Sequence, residues 1–497
     1  MKVHISGNVN QYYVQMLCMI FFPGEHFSES EEAREDVPVL DLSLAEEETG
    51  VRVTVRLSHE GKTAECERFG EYKEGVTLDR LKKVTIGEAM IKAGGELLGY
   101  RPSWGMLIGV RPSKVATELL QSGMPKTRVK KTLSSDYFVI PKKAALATDV
   151  ALNEAKIIGT PDKKDCSVYI SVPFCPTRCA YCSFVSYTSP KLLATIPDYL
   201  DRLNIEVIRT FELIKKLGLH VKTVYIGGGT PTILDEVQLE RLLKTVSENT
   251  DVSRLEEYTL EAGRPDTLTE EKFRIARAYG VNRVSVNPQI LNDDVLKKIG
   301  RAHNTEDFLR GYEMARNSGI PIINTDIIAG LPGDRFSTFS ASFDRLLPLR
   351  PENITVHTFS VKKACDALKH DSNIYSMRGG DVGKCVDYSQ IKTKFAGYVP
   401  YYMYRQKNTV GNYENVGFAL EGTEGLYNIY MMEEVHSIFA AGAGAVSKFV
   451  DYAPANGEKR VIERFFNAKY PYEYLSNDKM EEKLAAAEEF YIRRGLI

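Results

Sequence analysis

Ser171-Val-Pro-Phe-Cys-Pro-Thr-Arg-Cys-Ala-Tyr-Cys-Ser-Phe184 brings three cysteines, Cys175, Cys179 and Cys182, into one short loop with CxxxCxxC spacing. Thiolates are the usual ligands of iron–sulfur clusters, and a four-iron cube normally takes one per iron. Three ligands in one loop leave one iron with an open position for a substrate or cofactor. The common zinc sites pair two CxxC-type halves or add histidines at set spacing. The nearest histidine downstream is His220, so a local zinc site lacks its partner. Spacing therefore favours the cluster over a zinc knuckle, and the other five cysteines (18, 66, 166, 365 and 385) are scattered.

Outward from this loop the chain repeats one pattern, an apolar β-rich run followed by an amphipathic helical segment. The strand-like runs are Val168–Val172, Thr223–Ile226, Tyr258–Leu260, Arg283–Val286, Ile322–Ile328 and Ile354–Phe359. Between them the period becomes helical: Leu200, Leu203, Val207 and Ile214 share a face, as do Leu239, Leu242, Leu243 and Val246. Alternating strands and helices imply parallel pairing with right-handed crossovers. The expected fold is α/β, an incomplete (βα)6 barrel; spacing alone does not separate it from a flat doubly wound sheet. We expect three regions: 1–160, an N-terminal α+β domain; 161–360, the partial barrel; and 361–497, an irregular C-terminal region covering the barrel. In the first, Val51 to Leu57 alternates as a strand and Ile86 to Leu98 reads as helix. The only tryptophan, Trp104, is expected to pack between domains, with Arg101 and Arg111 structural or on the surface.

Composition narrows the class. The 497 residues are 43% hydrophobic and 26% charged, which are globular values. A net charge of −2 argues against a broad nucleic-acid surface, and eight cysteines in so long a chain do not resemble a secreted disulfide framework. The start has no signal-peptide architecture, and the early apolar run from Met16 to Phe22 is too short to span a bilayer. We therefore expect a cytoplasmic protein with no membrane span.

In barrels the active residues lie at the C-terminal ends of the strands. The second strand runs into Gly227-Gly-Gly-Thr-Pro-Thr, a loop stripped of side chains, which reads equally as a ligand cradle or a tight βα turn. The third strand ends at Glu261 and the fourth near Gln289; the fifth contains Asp326, and Arg301 follows the helix after Gln289. A carboxylate, an amide and a guanidinium at one barrel mouth suit a zwitterionic, hydroxyl-rich ligand.

Tyr169-Ile-Ser-Val-Pro-Phe-Cys, the CxxxCxxC loop, Gly227-Gly-Gly-Thr-Pro-Thr, Arg283-Val-Ser-Val-Asn-Pro-Gln, Arg301-Ala-His and Asp326-Ile-Ile-Ala-Gly-Leu-Pro together resemble the radical S-adenosylmethionine (SAM) superfamily. Within it they resemble the oxygen-independent coproporphyrinogen III dehydrogenase (HemN-like) family, and the long N-terminal region looks like that of its HemZ branch. The resemblance implies a 4Fe-4S cluster on Cys175, Cys179 and Cys182. It implies SAM on Tyr169, Tyr181, Gly228, Gly229, Thr230, Glu261, Gln289, Arg301 and Asp326, with weaker matches at Ser360 and Val446. It implies no catalytic side chain beyond cluster and SAM. The activity it implies is oxidative decarboxylation of coproporphyrinogen III propionates toward protoporphyrinogen IX in heme biosynthesis. An electron-donor protein such as flavodoxin or ferredoxin would be the partner, with no nucleic acid. Lys362, Lys363, Arg405 and Lys407 are candidate cations for the substrate carboxylates.

The chain departs from the pattern at three places. Phe184 stands where demonstrated dehydrogenases carry a fourth cysteine, an ending shared with the family's heme chaperones. The acidic motif reads Glu261-Ala-Gly-Arg-Pro-Asp, and Asn287-Pro288 replaces a small, flexible residue. A heme-binding chaperone and another radical SAM tetrapyrrole-modifying enzyme are the alternatives.

Overall fold

The computed structural model describes all residues except 23, 24, 26, 29–35, 110, 183–185, 361–380, 407–408, 454–459 and 477–478. Phe184, Lys362, Lys363 and Lys407 lie outside the described residues. The described chain divides into two compact units.

The first unit holds Met1–Leu152 together with 381–384 and the returning segment Met403–Asn415. Its sheet runs β1 (Lys2–Ser6), β2 (Val39–Glu47), β3 (Gly50–His59) and β4 (Lys62–Glu71), in that order. β1 pairs parallel with β2; β2 with β3, and β3 with β4, are antiparallel. Alternation puts Val51, Val53, Val55 and Leu57 in the core, beside Val14 and Leu17 of the helix Gln11–Phe21 and Ile86 and Met90 of the helix Leu78–Leu98. Gly94 lets those helices meet: a Cβ there would sit 2.6 Å from the Phe21 ring. Trp104 is buried inside this unit, where it joins the expected first and third regions by donating from Nε1 to Glu414 Oε2 at 2.8 Å, while Lys143 pairs with Glu414 Oε1 at 2.5 Å. Arg405 is likewise a structural residue and not a free cation. Its buried guanidinium donates to the Leu107 carbonyl and to Asn412 and lies over the Trp104 ring.

The second unit carries the barrel. β5 (Asp165–Val172), β6 (His220–Gly228), β7 (Glu257–Glu261), β8 (Arg283–Ser285), β9 (Ile322–Ala329) and β10 (Asn353–Thr358) pair in parallel, each with its neighbour in sequence. A strand order that never reverses excludes the doubly wound alternative, in which the order turns back at a switch point. This is the partial (βα)6 barrel. The crossover helices Ile196–Lys216, Glu236–Asn249, Glu270–Ala278, Thr305–Asn317 and Phe336–Leu346 bury the faces their spacing indicates, including Leu200, Leu203, Val207, Leu242, Leu243, Phe308 and Phe339.

The C-terminal region is more regular than its glycine- and tyrosine-rich sequence suggests. β11 (Val399–Tyr404) and β12 (Asn415–Ala419) extend the sheet beyond β10. β13 (Ser437–Ala441), β14 (Val446–Asp451) and β15 (Val461–Phe466) extend it beyond β5, making eleven strands. β13 runs parallel to β5, so its C-terminal end lies at the same edge as the cysteine loop. No described helix is long and apolar enough to cross a membrane.

Glu206 ties this C-terminal extension to the barrel. Its buried carboxylate accepts from the Gly442 amide at 2.8 Å, Asn467 Nδ2 at 2.9 Å, Tyr474 Oη and Lys483 Nζ. Burial alone would raise its pKa, but Lys483 and the other donors hold it below the usual range. Breaking a buried pair from one side leaves an uncompensated charge. We therefore expect Lys483→Met to cost roughly 3–5 kcal/mol, read as a lower denaturation midpoint; a midpoint equal to the parent's would show that the pair contributes nothing.

Candidate functional site

The cysteine loop leaves β5 at Val172 and is fastened by main-chain bonds on both sides. Gly229 N donates to Val172 O and Thr230 N to Phe174 O, both at 2.8 Å, and Cys175 N donates to Tyr187 O at 3.0 Å. Ala180 N donates to Ile299 O at 3.0 Å, joining the loop to the turn before Arg301. The three glycines at the end of β6 make this fit possible. Gly228 has φ +112°, in the region L side chains avoid, and a Cβ on Gly229 would lie 2.5 Å from Phe174 O. A Cβ on Gly227 would meet Glu261 Oε2 at 2.8 Å. The glycine run is thus the tight turn that brings the backbone against the cysteine loop and makes room for a carboxylate.

Cys175 and Cys179 are buried and Cys182 is partly exposed. Burial pushes the Cys175 thiol up, while Thr230 Oγ1, 3.2 Å from its sulfur, works the other way. Arg264 Nη1 lies 3.7 Å from Cys179 Sγ. Among the described residues, one trio of metal-binding side chains gathers its donor atoms within 4.8 Å, and it is Asp162, Asp165 and His220 rather than the cysteines. Three thiols, two of them facing hydrogen-bond partners, yet spread wider than a single ion requires, fit a cluster better than zinc.

Beside the loop, at the ends of β5, β6 and β7, Tyr169 stacks on Tyr225 at 6.0 Å, and Tyr225 on Tyr427 at 4.6 Å. Tyr169 and Tyr225 are register partners on adjacent strands, whereas Tyr427 arrives on the helix Leu426–Glu433. Tyr225 Oη donates to Glu261, which ends β7. Burial raises the Glu261 carboxyl from 4.5 to about 7, helped by the charge of Asp326 and opposed by Tyr225 and the Gly228 amide.

Gln289, past β8, has φ +62°, a left-handed conformation costing of order 1–3 kcal/mol in a residue other than glycine. It is held there by Gln289 N donating to Asp326 O at 3.0 Å and Ile328 N donating to Gln289 O at 2.8 Å. Asp326 is bracketed by Asn287, which donates from Nδ2 to Oδ2 at 2.9 Å and accepts from the Asp326 amide at 3.1 Å. His357 Nε2 lies 3.6 Å from the same carboxylate. Arg301 donates from Nε to Tyr181 Oη at 3.0 Å and from Nη1 to Gly263 O at 3.3 Å. Ser360 follows β10 by two residues, and Val446 opens β14 beyond the turn after β13. The residues picked from sequence thus gather toward one edge of the sheet, and Arg301 with Tyr181, Gln289 with Asp326, and Cys175 with Thr230 are in direct contact. Sequence reasoning missed Tyr225, Tyr427, Asn287, Arg264 and His357; only Arg264 and Asn287 had left a trace, as departures from a motif.

Residues 169–346 match the model of the Radical SAM superfamily. Over 465 residues the chain is 35% identical to the oxygen-independent coproporphyrinogen-III oxidase-like protein HemZ of Bacillus subtilis, covering 91% of each chain. It is 31% identical over 330 residues to the heme chaperone HemW of the same organism, covering 64% of this chain and 82% of HemW. Among solved structures it is similar to the coproporphyrinogen III oxidase HemN of Escherichia coli, with 20% identity over 67% of this chain and 73% of that one and a TM-score of 0.49. The chain belongs to the radical SAM superfamily and, within it, to the HemZ-type family of coproporphyrinogen-III oxidase-like proteins. The cofactors of this superfamily are a 4Fe-4S cluster and SAM.

The Glu261 shift makes a pH prediction. A folded pKa raised above the unfolded value means the neutral carboxyl favours the fold below about pH 4.5, and that advantage is lost as pH rises through about 7. Water reaches one side of Glu261, so the cost at pH 8 should be about 1–2 kcal/mol rather than the full value of the shift. Urea midpoints of the cofactor-free protein should show Glu261→Gln more stable than the parent at pH 8 and equal to it near pH 4. A gap independent of pH would contradict this.

Proposed function

We propose that this protein is a radical SAM oxidoreductase acting on a tetrapyrrole, with coproporphyrinogen III as substrate. The observation that carries the reading is one sheet edge presenting the three-cysteine loop beside Glu261, Gln289, Asp326 and Arg301. The similarity to HemZ over 91% of each chain, N-terminal region included, supports the substrate class.

In this reading Cys175, Cys179 and Cys182 hold the cluster and leave one iron for SAM. When bound, cluster and SAM supply one-electron cleavage of a sulfur–carbon bond and a carbon radical able to take hydrogen. The chain's own residues orient the ligand. Glu261 and Asp326 accept from hydroxyl or ammonium groups, and Gln289 offers an amide. Arg301 carries a fixed charge, which Tyr181 and the Gly263 carbonyl aim. Gly228, Gly229 and Thr230 line the approach with backbone, Tyr169 forms part of an aromatic floor, and Ser360 and Val446 flank the edge. That floor and the buried strand ends exclude water, which a primary carbon radical requires. The substrate propionate loses a hydrogen atom, then carbon dioxide and one electron, leaving a vinyl group; the electron passes to an acceptor. A flavodoxin- or ferredoxin-type protein would supply the electron, and the protein works in the cytoplasm.

A second reading, a heme-binding chaperone, is favoured by Phe184 and by the 31% identity to HemW. One anaerobic experiment separates them: reconstituted protein with SAM, reductant and coproporphyrinogen III, analysed by mass spectrometry. We expect vinyl product and 5′-deoxyadenosine, and neither from Cys179→Ala, which should also lose its iron. Arg301→Ala should keep iron but bind SAM about tenfold or more weakly, the cost of one charge-assisted hydrogen bond. Tight binding of unmodified heme without vinyl product would establish the second reading instead.

A further inference from the structure

The segment after β7, Gly263-Arg264-Pro265-Asp266, departs from the family pattern, and the function above makes no use of Arg264 or Asp266. The Arg264 side chain is only 5% exposed, and every N–H of its guanidinium has a partner. Nη1 donates to Thr177 O at 2.8 Å and toward Cys179 Sγ at 3.7 Å; Nη2 donates to Thr177 Oγ1 at 2.8 Å. Nε and Nη2 also form a fork on the Asp266 carboxylate, at 3.2 and 3.1 Å. One face of the guanidinium is therefore on the cysteine loop and the other on a counter-ion.

This arrangement exceeds what anchoring a loop requires. The two bonds to Thr177 already fix the loop backbone. The remaining N–H points at a sulfur, and Asp266 sits on the far side. The pair is neutral overall but oriented, with its positive end toward Cys179. Reduction adds negative charge to a cluster, and hydrogen bonds to its sulfurs and local charge are among the factors that set its potential.

Resting on the reading of Cys175, Cys179 and Cys182 as cluster ligands, we propose that Arg264 is a positioning residue of the cluster. It locks the loop through Thr177 and, by donating to the Cys179 sulfur, makes the cluster easier to reduce, while Asp266 moderates that pull. The two side chains set the potential in opposite directions.

The test uses the full-length protein, reconstituted without oxygen and titrated with a reductant of known potential while the reduced cluster is followed by electron paramagnetic resonance. Arg264→Gln should hold about tenfold less reduced relative to oxidised cluster at a fixed potential, a shift of about 59 mV downward for a one-electron couple. Arg264→Lys should fall between Gln and the parent, because an ammonium keeps the charge but not the fork. Asp266→Asn should shift the potential upward, and it tests the idea even if Arg264→Gln fails to fold. A parental potential in Asp266→Asn, together with a parental potential or an iron-free protein in Arg264→Gln, would reduce Arg264 to a structural clamp and overturn the proposal. An absence of iron and sulfide in the parent would overturn the cysteine reading itself, a result distinguishable because it precedes any substitution.

Discussion

The contact on which the site depends is the close approach of two backbones, where Gly229 and Thr230 bond to Val172 and Phe174 across the ends of β6 and β5. Parallel strands end side by side, but loops leaving them normally diverge. Here the loop that carries the cysteines stays against its neighbour for two more hydrogen bonds. Only glycine permits this, because a Cβ at 229 would overlap the Phe174 carbonyl. The consequences spread outward. Thr230 reaches the Cys175 sulfur, the Gly228 amide reaches Glu261, and Gly227 leaves that carboxylate space.

Below that edge the barrel interior is polar, which an ordinary hydrophobic core would not tolerate. Arg283 on β8 pairs with Glu257 on β7 at 3.2 Å, donates to Asn324 on β9 and caps the carbonyls of Thr423 and Glu424. Glu257 in turn accepts from the Leu426 amide at 2.6 Å, at the start of the helix Leu426–Glu433. A buried ion pair adds little net stability, so its value here is geometric. It seats a helix whose second residue is Tyr427, the third ring of the stack beside Glu261. The C-terminal part of the chain thereby adds Tyr427 to an edge whose other candidate residues, Val446 apart, all precede residue 361.

What was legible in the sequence follows from this division. The six barrel strands were readable because each is a short apolar run bounded by a helical period, and the rule that function gathers at strand C-termini then selected Glu261, Gln289 and Asp326 by position alone. Tyr225 was invisible, since an aromatic residue inside a strand reads as core, and Tyr427 lies more than 200 residues from the strand it touches. β11 to β15 were missed because their glycines and tyrosines blur any alternation, and β12 and β13 join the barrel strands β10 and β5 across long stretches of sequence. Asn287 and Arg264 looked like defects in a motif. In the fold, Asn287 grips Asp326 and Arg264 grips the cysteine loop, contacts that exist only through strand register.

The two carboxylates of the mouth are kept unlike by their surroundings. Glu261 lies against stacked tyrosine rings with one strong donor, and burial with the nearby charge of Asp326 pushes it up to about 7. Asp326 has an amide gripping both its side chain and its backbone, with a histidine near its outer oxygen. Burial is the larger obstacle to ionising Glu261, and the neighbouring charge adds to it. A positive charge placed between them would offset that of Asp326 and bring the Glu261 carboxyl back toward its usual range.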